Sequence, residues 1–446
     1  MKKKIHIVSL GCPKNLIDSE VMAASLQSGG FELTASPVQA DIILVNTCTF
    51  ILPAKEESIE EILHMGSMKE RGRCRHLVVA GCLPQRYGTT LQDEMPEVDL
   101  FVGTGEISHI VNLITQLEER DPTRSPVHIG HPSFLMTASH RRLLSTPPYT
   151  AYLKIAEGCS NCCSYCVIPL VRGAFRSREL EDLVREAEIL AAQGVREIII
   201  TAQETTAYGR DLRGKPTLSL LLRNLAAVDG IRWIRVLYTH PIHITDDLLE
   251  TIRDEEKICN YLDLPAQHID DEILKSMNRR LTHRGMNRVI ETVRRKIPGI
   301  ALRTSLIVGY PGETEEKFET LLDFVQQTRF DHLGVFTYSR EEGTPAAELR
   351  GQIPEEVKEE RRTMIMDEQA AISYEINRSL IGSTMEVVIE ESSDIPAFPL
   401  IGRARRQSPE IDGVTYITGS SAPVGSFITC TVTASDTYDL YADTVS

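Results

Sequence analysis

The sequence has 446 residues, of which 42% are hydrophobic and 25% charged, and it carries a net charge of −15. This composition excludes a mainly disordered chain, and the acidic balance argues against a general binder of nucleic-acid phosphates. No apolar run reaches the roughly 18 residues of a membrane span. The first residues are too few and too polar for a signal peptide, so we expect a cytoplasmic protein without a membrane partner.

Residues 1–136 are predicted to form an α/β domain with a mostly parallel sheet, because short apolar runs alternate with amphipathic ones. The predicted strands are residues 5–10, 42–45, 77–80 and 100–102, and the predicted helices include residues 19–27, 55–65 and 107–117. Residues 137–148, with two adjacent arginines and two adjacent prolines, are typical of a linker.

Residues 149–378 form a second alternating series, whose six strand–helix units predict a barrel or an open part-barrel. The predicted strands are residues 151–155, 197–201, 234–238, 261–264, 301–308 and 334–338. Helices are predicted between them, notably over residues 179–192, 270–277 and 314–327, and a long charged helix over residues 355–378 closes the domain.

Residues 379–446 are instead β-rich and are predicted to form a small all-β barrel, with strands over residues 385–389, 414–418 and 427–432. The predicted fold class is therefore α/β: an amino-terminal parallel α/β domain, a (β/α) part-barrel and a carboxy-terminal all-β barrel.

Three of the ten cysteines, Cys12, Cys48 and Cys82, each end a predicted strand. Because the carboxyl ends of parallel strands lie at one edge of a sheet, we expect these thiols, the first triad, to share a ligand. Gly11 and Gly81 allow the backbone to approach that ligand closely. The alternative is three buried thiols that pack as small hydrophobic groups.

A second triad, Cys159, Cys163 and Cys166, has the spacing C-x3-C-x2-C and follows another predicted strand. Three thiolates on a four-iron cluster leave one iron with an open coordination position, which can bind and activate a small ligand. Structural zinc is the main alternative, although no fourth Cys or His follows at finger spacing. Cys162 offers a different register, but its separations from the other cysteines fit no common site.

The second triad, with Tyr165 before its last cysteine, resembles the signature of the radical S-adenosylmethionine (SAM) superfamily. Over nearly the whole chain the sequence resembles the methylthiotransferases, which join an amino-terminal domain with three cluster cysteines, a radical-SAM barrel and a terminal TRAM barrel. The resemblance also includes the segments 46–48, 172–173, 307–314 and 338–347. It implies a [4Fe–4S] cluster on each triad, SAM as a cofactor and an electron donor such as flavodoxin or ferredoxin.

The resemblance also implies a set of SAM-binding residues near the ends of barrel strands: Tyr165, Gln203, Glu204, Gln267, Arg303, Gly309 and Glu313. Glu204 would contact the methionine moiety, whereas Gly309 and Glu313 would shape the adenine side. The alternative for Glu204 is a carboxylate that stabilises a helix start through the macrodipole. The sequence identifies no catalytic side chain beyond the cluster ligands.

The family has two branches, one acting on an aspartate of small-subunit ribosomal protein twelve and the other on an adenosine of tRNA. Residues 11–15 and 261–268 resemble the ribosomal-protein branch. Residues 381–446 contain nine carboxylates against three arginines and no lysine, a balance that suits a basic protein partner better than tRNA. We therefore predict that the chain adds a methylthio group to the β-carbon of that aspartate.

Two alternatives come from outside this family: a non-catalytic iron–sulfur redox or sensor protein, and a structural-zinc scaffold. The remaining isolated cysteines, Cys74, Cys259 and Cys430, are predicted to be lone buried thiols, and Trp233 is predicted to lie in the core.

Overall fold

The computed structural model describes residues 2–119 and 125–445. Its first part is a six-stranded parallel sheet of order β2-β1-β3-β4-β5-β6 with helices packed on it. The strands are β1 (Lys4–Ser9), β2 (Glu32–Leu33), β3 (Ile42–Thr47), β4 (His76–Gly81), β5 (Leu100–Gly103) and β6 (Val127–His128). The helices are α1 (Pro13–Ser28), α2 (Leu52–Gly66), α3 (Met68–Arg71), α4 (Cys82–Glu94) and α5 (Ile110–Glu118).

The second part is an open part-barrel of parallel strands. Its strand order is β11-β10-β7 in one half and β12-β13-β14 in the other, and the Ile234–Ile258 bridge joins the halves. The strands are β7 (Thr150–Lys154), β8 (Ala156–Glu157), β9 (Arg176–Ser177), β10 (Glu197–Thr201), β11 (Trp233–Val236), β12 (Tyr261–Asp263), β13 (Ala301–Val308) and β14 (His332–Thr337). The helices are α6 (Ile168–Arg172), α7 (Leu180–Ala192), α8 (Leu218–Ala226), α9 (Asp246–Asp254), α10 (Asp271–Ser276), α11 (His283–Lys296), α12 (Glu315–Thr328) and α13 (Glu355–Ser379).

The third part, here the terminal barrel, is a closed barrel of order β15-β16-β17-β19-β18. Its strands are β15 (Thr384–Ser392), β16 (Leu400–Ala404), β17 (Thr415–Thr418), β18 (Phe427–Ser435) and β19 (Leu440–Thr444). This architecture confirms the predicted fold class. Within the described ranges, none of the helices combines the length and apolar character that crossing a bilayer requires.

Several elements differ from their predictions. Helix α1 begins at Pro13 instead of residue 19, because its first turns bury the polar side chains of Lys14, Asn15 and Asp18 and so show no apolar periodicity. Helix α4, for which no bounds were predicted, contains Gly88, a poor helix former. A Cβ at that position would lie 1.9 Å from Ile129 Cδ1, so close packing of the helix explains the glycine.

The terminal barrel is fixed to the part-barrel by buried charges. Glu197 at the start of β10 is fully buried between Arg403, at 2.5 Å, and Arg235, at 3.1 Å. Asp412 accepts a hydrogen bond from Tyr261 Oη at 2.8 Å, and Arg406 pairs with Asp331 at 2.6 Å. The arginines of the terminal barrel are therefore engaged within the chain, which leaves them poorly placed to bind RNA phosphates.

Replacing Arg403 by methionine should destabilise the fold by about 3–5 kcal/mol at pH 7, because Glu197 would keep its buried charge with one partner fewer. Burial by itself raises the pKa of Glu197, but Arg403 and Arg235 hold it below its ordinary value. The stabilisation is therefore present above the pKa of the unfolded state and is lost as the pH falls through the lowered folded pKa. Urea midpoints of wild type and R403M should accordingly converge in acid.

The matched control for R403M is Arg232→Met, which removes a largely exposed partner of Glu386 at the same interface. We expect it to cost less than about 1 kcal/mol. If both variants lost the same free energy of unfolding, a special role for the buried pair of Glu197 and Arg403 would be contradicted.

Candidate functional site

The first triad lies at one edge of the first sheet, as its spacing predicts. Cys12 precedes α1, Cys48 follows β3, and Cys82 begins α4 directly after β4. A Cβ at Gly11 would stand 2.7 Å from Cys48 Cβ, and the φ of +85° at this glycine disfavours any side chain. The loop that carries Cys12 is therefore packed directly against Cys48, which a larger residue at position 11 would prevent.

Burial sets the ionisation of these thiols. It raises the pKa of Cys48 to about 12 and also raises that of Cys82. Burial opposes ionisation of Cys12 as well, but the positive charges of Lys14 and Arg172 hold the pKa of this thiol below its usual value. Because metal ligation requires thiolates, loading this site releases protons and depends on pH.

The second triad lies in the loop that follows β8. Gly158 has a φ of +78°, and a Cβ there would lie 2.2 Å from Ala174 O, so the loop turns tightly against the backbone after α6. Burial raises the pKa of Cys159 to about 11 and that of Cys166 to about 12. Cys162, by contrast, is exposed, with a left-handed φ of 52°, whereas the three cysteines of the second triad are half-buried.

Each triad offers sulfur donors alone. Across residues 2–119 and 125–445, no three His, Cys, Asp or Glu side chains form a group suited to a single metal ion. A [4Fe–4S] cluster instead binds each cysteine through a different iron, so its ligands need not meet at one point. Each triad therefore offers a donor set that fits one [4Fe–4S] cluster with three cysteine ligands.

Arg172 connects the first triad with the part-barrel. Its Nη2 donates to Cys82 Sγ at 3.3 Å and to Asn15 Oδ1 at 2.9 Å, while Nη1 lies 2.5 Å from Asp18 Oδ2. The same Nη1 lies 3.5 Å from Glu157 Oε1, two residues before Cys159. One buried guanidinium therefore contacts a first-triad thiol and approaches the segment that leads into the second triad.

Lys154 extends this buried network. Its Nζ lies 2.5 Å from Asp18 and 2.8 Å from Glu157, and Gln203 Nε2 donates to Glu157 at 2.6 Å. Burial opposes ionisation of Glu157, but Lys154 and Arg172 lower its pKa to about 2, so this carboxylate stays charged. Gln203, a predicted SAM-binding residue, is thus part of the polar network that joins the two halves of the site.

Glu204 lies beside the second triad and not at a helix start, since the next helix, α8, begins at Leu218. The macrodipole alternative for this residue is therefore wrong. Its carboxylate accepts hydrogen bonds from Asn161 Nδ2 at 2.6 Å and Thr206 Oγ1 at 2.9 Å, and it lies 2.5 Å from His243 Nδ1. Sequence reasoning missed His243, because the contact joins the segment after β10 to a short 3-10 helix, Pro241–His243, that is distant along the chain.

The other predicted SAM-binding residues are more scattered. Glu313 accepts from Gly309 N at 3.0 Å and pairs with Arg361 at 2.8 Å, so its carboxylate closes the turn after β13. A Cβ at Gly309 would lie 2.2 Å from Lys358 Cγ on α13, a close approach that demands glycine. These contacts give Gly309 and Glu313 a structural role, and SAM binding by them stays a prediction.

Tyr165, Gln267 and Arg303 occupy three different settings. Tyr165 packs at the edge of a small core with Tyr310 and Tyr338. Gln267 has a left-handed φ of 70° and its backbone N–H donates to Ser305 O at 2.9 Å, next to β13. Arg303 lies 3.7 Å from Asp263 and 3.5 Å from Asp412, so it faces the terminal barrel.

Lys14 is a further charged residue at the site that sequence reasoning did not single out. It is 7% exposed, and its Nζ stands 3.4 Å from the ring centre of Tyr238, beyond β11 of the part-barrel. No carboxylate of the described residues lies within ion-pair distance of this ammonium group. The first triad and the part-barrel thus enclose a cation that has no carboxylate partner and whose electrostatic neighbours are the Cys12 thiol and Tyr238.

Three family profiles match successive parts of the chain. They are the Uncharacterized protein family UPF0004 over residues 4–103, the Radical SAM superfamily over residues 153–325 and the TRAM domain over residues 381–445. The second profile covers most of the part-barrel, up to α12, and includes its cysteine triad, so the fold and the site define a radical-SAM enzyme.

Curated relatives match over the full length. The ribosomal protein uS12 methylthiotransferase RimO of Syntrophus aciditrophicus (strain SB) is 57% identical over 99% of this chain and 98% of the relative. The protein of the same name from Geobacter sulfurreducens is 54% identical over 100% and 99% of the two chains. The chain belongs to the RimO family of radical-SAM methylthiotransferases, and its cofactors are SAM and two [4Fe–4S] clusters. The predicted family, enzyme class and cofactors are confirmed.

Solved structures agree on the fold. The radical SAM methyltransferase TsrM from Kitasatospora setae, with cobalamin and a [4Fe–4S] cluster bound, has a TM-score of 0.58 at 18% identity and covers 78% of this chain and 77% of its own. The cobalamin-dependent SAM radical enzyme OxsB, with aqua-cobalamin and SAM bound, has a TM-score of 0.53 at 11% identity, covering 82% and 56%.

Proposed function

We propose that this protein adds a methylthio group to the β-carbon of an aspartate in ribosomal protein uS12. The observation that carries the proposal is the pair of cysteine triads beside one buried interface, which Arg172 connects through Cys82 and Glu157. In this assignment, residues 1–136 with Cys12, Cys48 and Cys82 hold the auxiliary cluster. Residues 149–378 with Cys159, Cys163 and Cys166 hold the cluster that binds SAM, residues 137–148 link the two, and residues 379–446 form the TRAM domain.

Bound at these sites, the clusters and SAM supply a radical that removes hydrogen from carbon, together with the sulfur and methyl groups to be transferred. The chain holds the reacting groups in position and shields them from solvent. Glu204, which contacts Asn161 and His243, would accept from the ammonium group of SAM, and Gln203 precedes it in the sequence. An electron donor of the flavodoxin or ferredoxin kind and a cytoplasmic location belong to the same proposal.

The surroundings of Lys14 support the proposal that the substrate residue has an acidic side chain. A buried ammonium group without a carboxylate partner is costly unless an anion joins it, and a substrate aspartate brings such a group. The ring of Tyr238 beneath Nζ fixes the direction of the ammonium group from the part-barrel side. Lys14 would therefore hold the substrate carboxylate while the neighbouring β-carbon reacts.

The function is tested by incubating the reconstituted enzyme with SAM, a reductant and a peptide that carries the target loop of uS12, with mass spectrometry as the readout. We expect the mass of SCH3 in place of hydrogen on the aspartate. A tRNA anticodon stem–loop runs in parallel, and modification of the RNA alone would refute the uS12 proposal while leaving the enzyme class intact.

In the same assay, Lys14→Met should lower kcat/KM for the peptide at least about tenfold, the worth of one hydrogen bond to a charged group. Lys14→Arg is the matched control and should retain more of the peptide activity, because it keeps the positive charge. If Lys14 acts only on the neighbouring cluster, K14M would shift the reduction potential of that cluster and leave KM unchanged, which would contradict the substrate contact.

A further inference from the structure

A group of unpaired cations lies on the surface around α10 and α11. Lys275, Arg280, Arg284 and Arg288, here the basic patch, are all exposed. In the described part of the chain, none of the four has a carboxylate within ion-pair distance. They fall within a short segment of a protein whose net charge is −15, so the patch is a local reversal of the overall charge.

The turn that precedes α11 binds directly to the cysteine loop of the second triad. Asn278 Nδ2 donates to Cys162 O at 2.9 Å, and Ser164 N donates to Met277 O at 3.1 Å. The buried Arg279 reaches to 4.0 Å from Cys163 Sγ and donates to Pro265 O at 2.6 Å. The basic patch is therefore continuous with the loop that carries the second triad.

The backbone of this turn separates a buried arginine from an exposed one. Asn278 and Arg280 have left-handed φ values of 58° and 53°, a conformation that costs free energy for residues other than glycine. Between them Arg279 is directed inward to the cysteine loop, while Arg280 is exposed to solvent. On the other side of the contact Cys162 is exposed, so the cysteine loop reaches the surface beside the patch.

We propose that the basic patch is the docking surface for an acidic one-electron carrier protein that reduces the cluster on the second triad. The inference rests on the proposed cluster at Cys159, Cys163 and Cys166. The carrier loses one electron and the cluster gains it, and no bond or proton has to be transferred at the surface. Because electron tunnelling weakens steeply with distance, the carrier must dock where the cysteine loop approaches solvent.

Charge explains why a patch is needed at that place. An acidic carrier is repelled by a protein of net charge −15, and a local positive surface reverses this repulsion and orients the encounter. The positions of Arg284 and Arg288, four residues apart on α11, place both guanidinium groups on one face of the helix.

A protein partner fits this surface better than RNA does. Asp271 and Glu291 line the same groove of about 590 Å³ as Arg284 and Arg288. Carboxylates at these positions interrupt the positive charge that a phosphate backbone follows. A folded protein can match both signs of charge across such a surface, which favours the carrier over ribosomal or transfer RNA.

The test uses the reconstituted full-length enzyme and the variant R280E/R284E/R288E. With purified reduced flavodoxin as the donor, 5′-deoxyadenosine formation and the appearance of the reduced cluster by EPR should both slow at least about tenfold. With dithionite, a small reductant that needs no docking surface, the variant should match wild type. The wild-type rate with flavodoxin should fall as salt is added, and the variant should lose this dependence.

The control variant R71E/R75E/R185E changes the net charge by the same amount at exposed cations outside the patch. It should keep the wild-type rate with flavodoxin, and an equal loss in both variants would refute a specific docking surface. An unchanged flavodoxin rate in the patch variant, with weaker binding of a ribosomal RNA fragment, would overturn the proposal in favour of RNA. If wild type forms no 5′-deoxyadenosine even with dithionite, the proposed function itself is wrong, and this inference falls with it.

Discussion

Replacing Cys12, Cys48 and Cys82 together by alanine is expected to abolish methylthio transfer while 5′-deoxyadenosine still forms. The physical reason is the proposed assignment, in which the first triad would carry one cluster and the second triad would carry the cluster that cleaves SAM. Iron content should fall from about eight to about four atoms per chain, since each cluster contains four. Iron analysis, 5′-deoxyadenosine assays and mass spectrometry of the peptide measure the three quantities on one preparation.

The matched control is the variant C74A/C259A/C430A, which likewise removes three cysteines, all of them buried. These thiols belong to neither triad, and each lies among the hydrophobic residues of a different core cluster. The control should keep the full iron content and the methylthio transfer activity. Loss of 5′-deoxyadenosine formation in the first-triad variant would contradict the division of roles between the two triads.

Much of the fold could be predicted because local patterns decide it. Strand β13 is observed over Ala301–Val308, the range that its apolar run predicts. Strands β16 and β19 were missed, because a run such as Leu400–Ala404 contains both Gly402 and the buried Arg403. A Cβ at Gly402 would lie 2.4 Å from Val388 O, so barrel closure and not strand propensity selects that glycine.

The two cysteine triads could be proposed from sequence because their spacing and their place after strands are local. The contacts between the first domain and the part-barrel could not, since they join residues that are distant along the chain. Arg172 contacts Cys82, and Lys14 contacts Tyr238. Asp18 and Glu157 would each read as ordinary surface acids, yet both are buried against Lys154. Only the folded chain shows that these charges form one interface.

Arg172→Met is expected to produce two separable effects. The first is a loss of stability of about 3–5 kcal/mol, because Asp18 and Glu157 remain buried with Lys154 as their shared partner. The second is a lower reduction potential of the auxiliary cluster. Loss of the positive charge and of the hydrogen bond to Cys82 Sγ both disfavour the added electron. If Arg172 stabilises the reduced cluster by about 1.4 kcal/mol more than the oxidised cluster, its loss lowers the potential by about 59 mV for one electron.

Lys154→Met separates the two effects, because Lys154 pairs with the same two carboxylates but has no contact with Cys82. Urea unfolding should show similar losses for both variants, whereas EPR-monitored redox titration should show the larger shift in R172M. Equal shifts in potential would mean that the general charge of the interface, and not the hydrogen bond to Cys82, tunes the cluster. A larger shift in R172M would mean that one guanidinium both holds the two domains together and adjusts the cluster that supplies sulfur, so that domain docking and the reactivity of that cluster depend on each other.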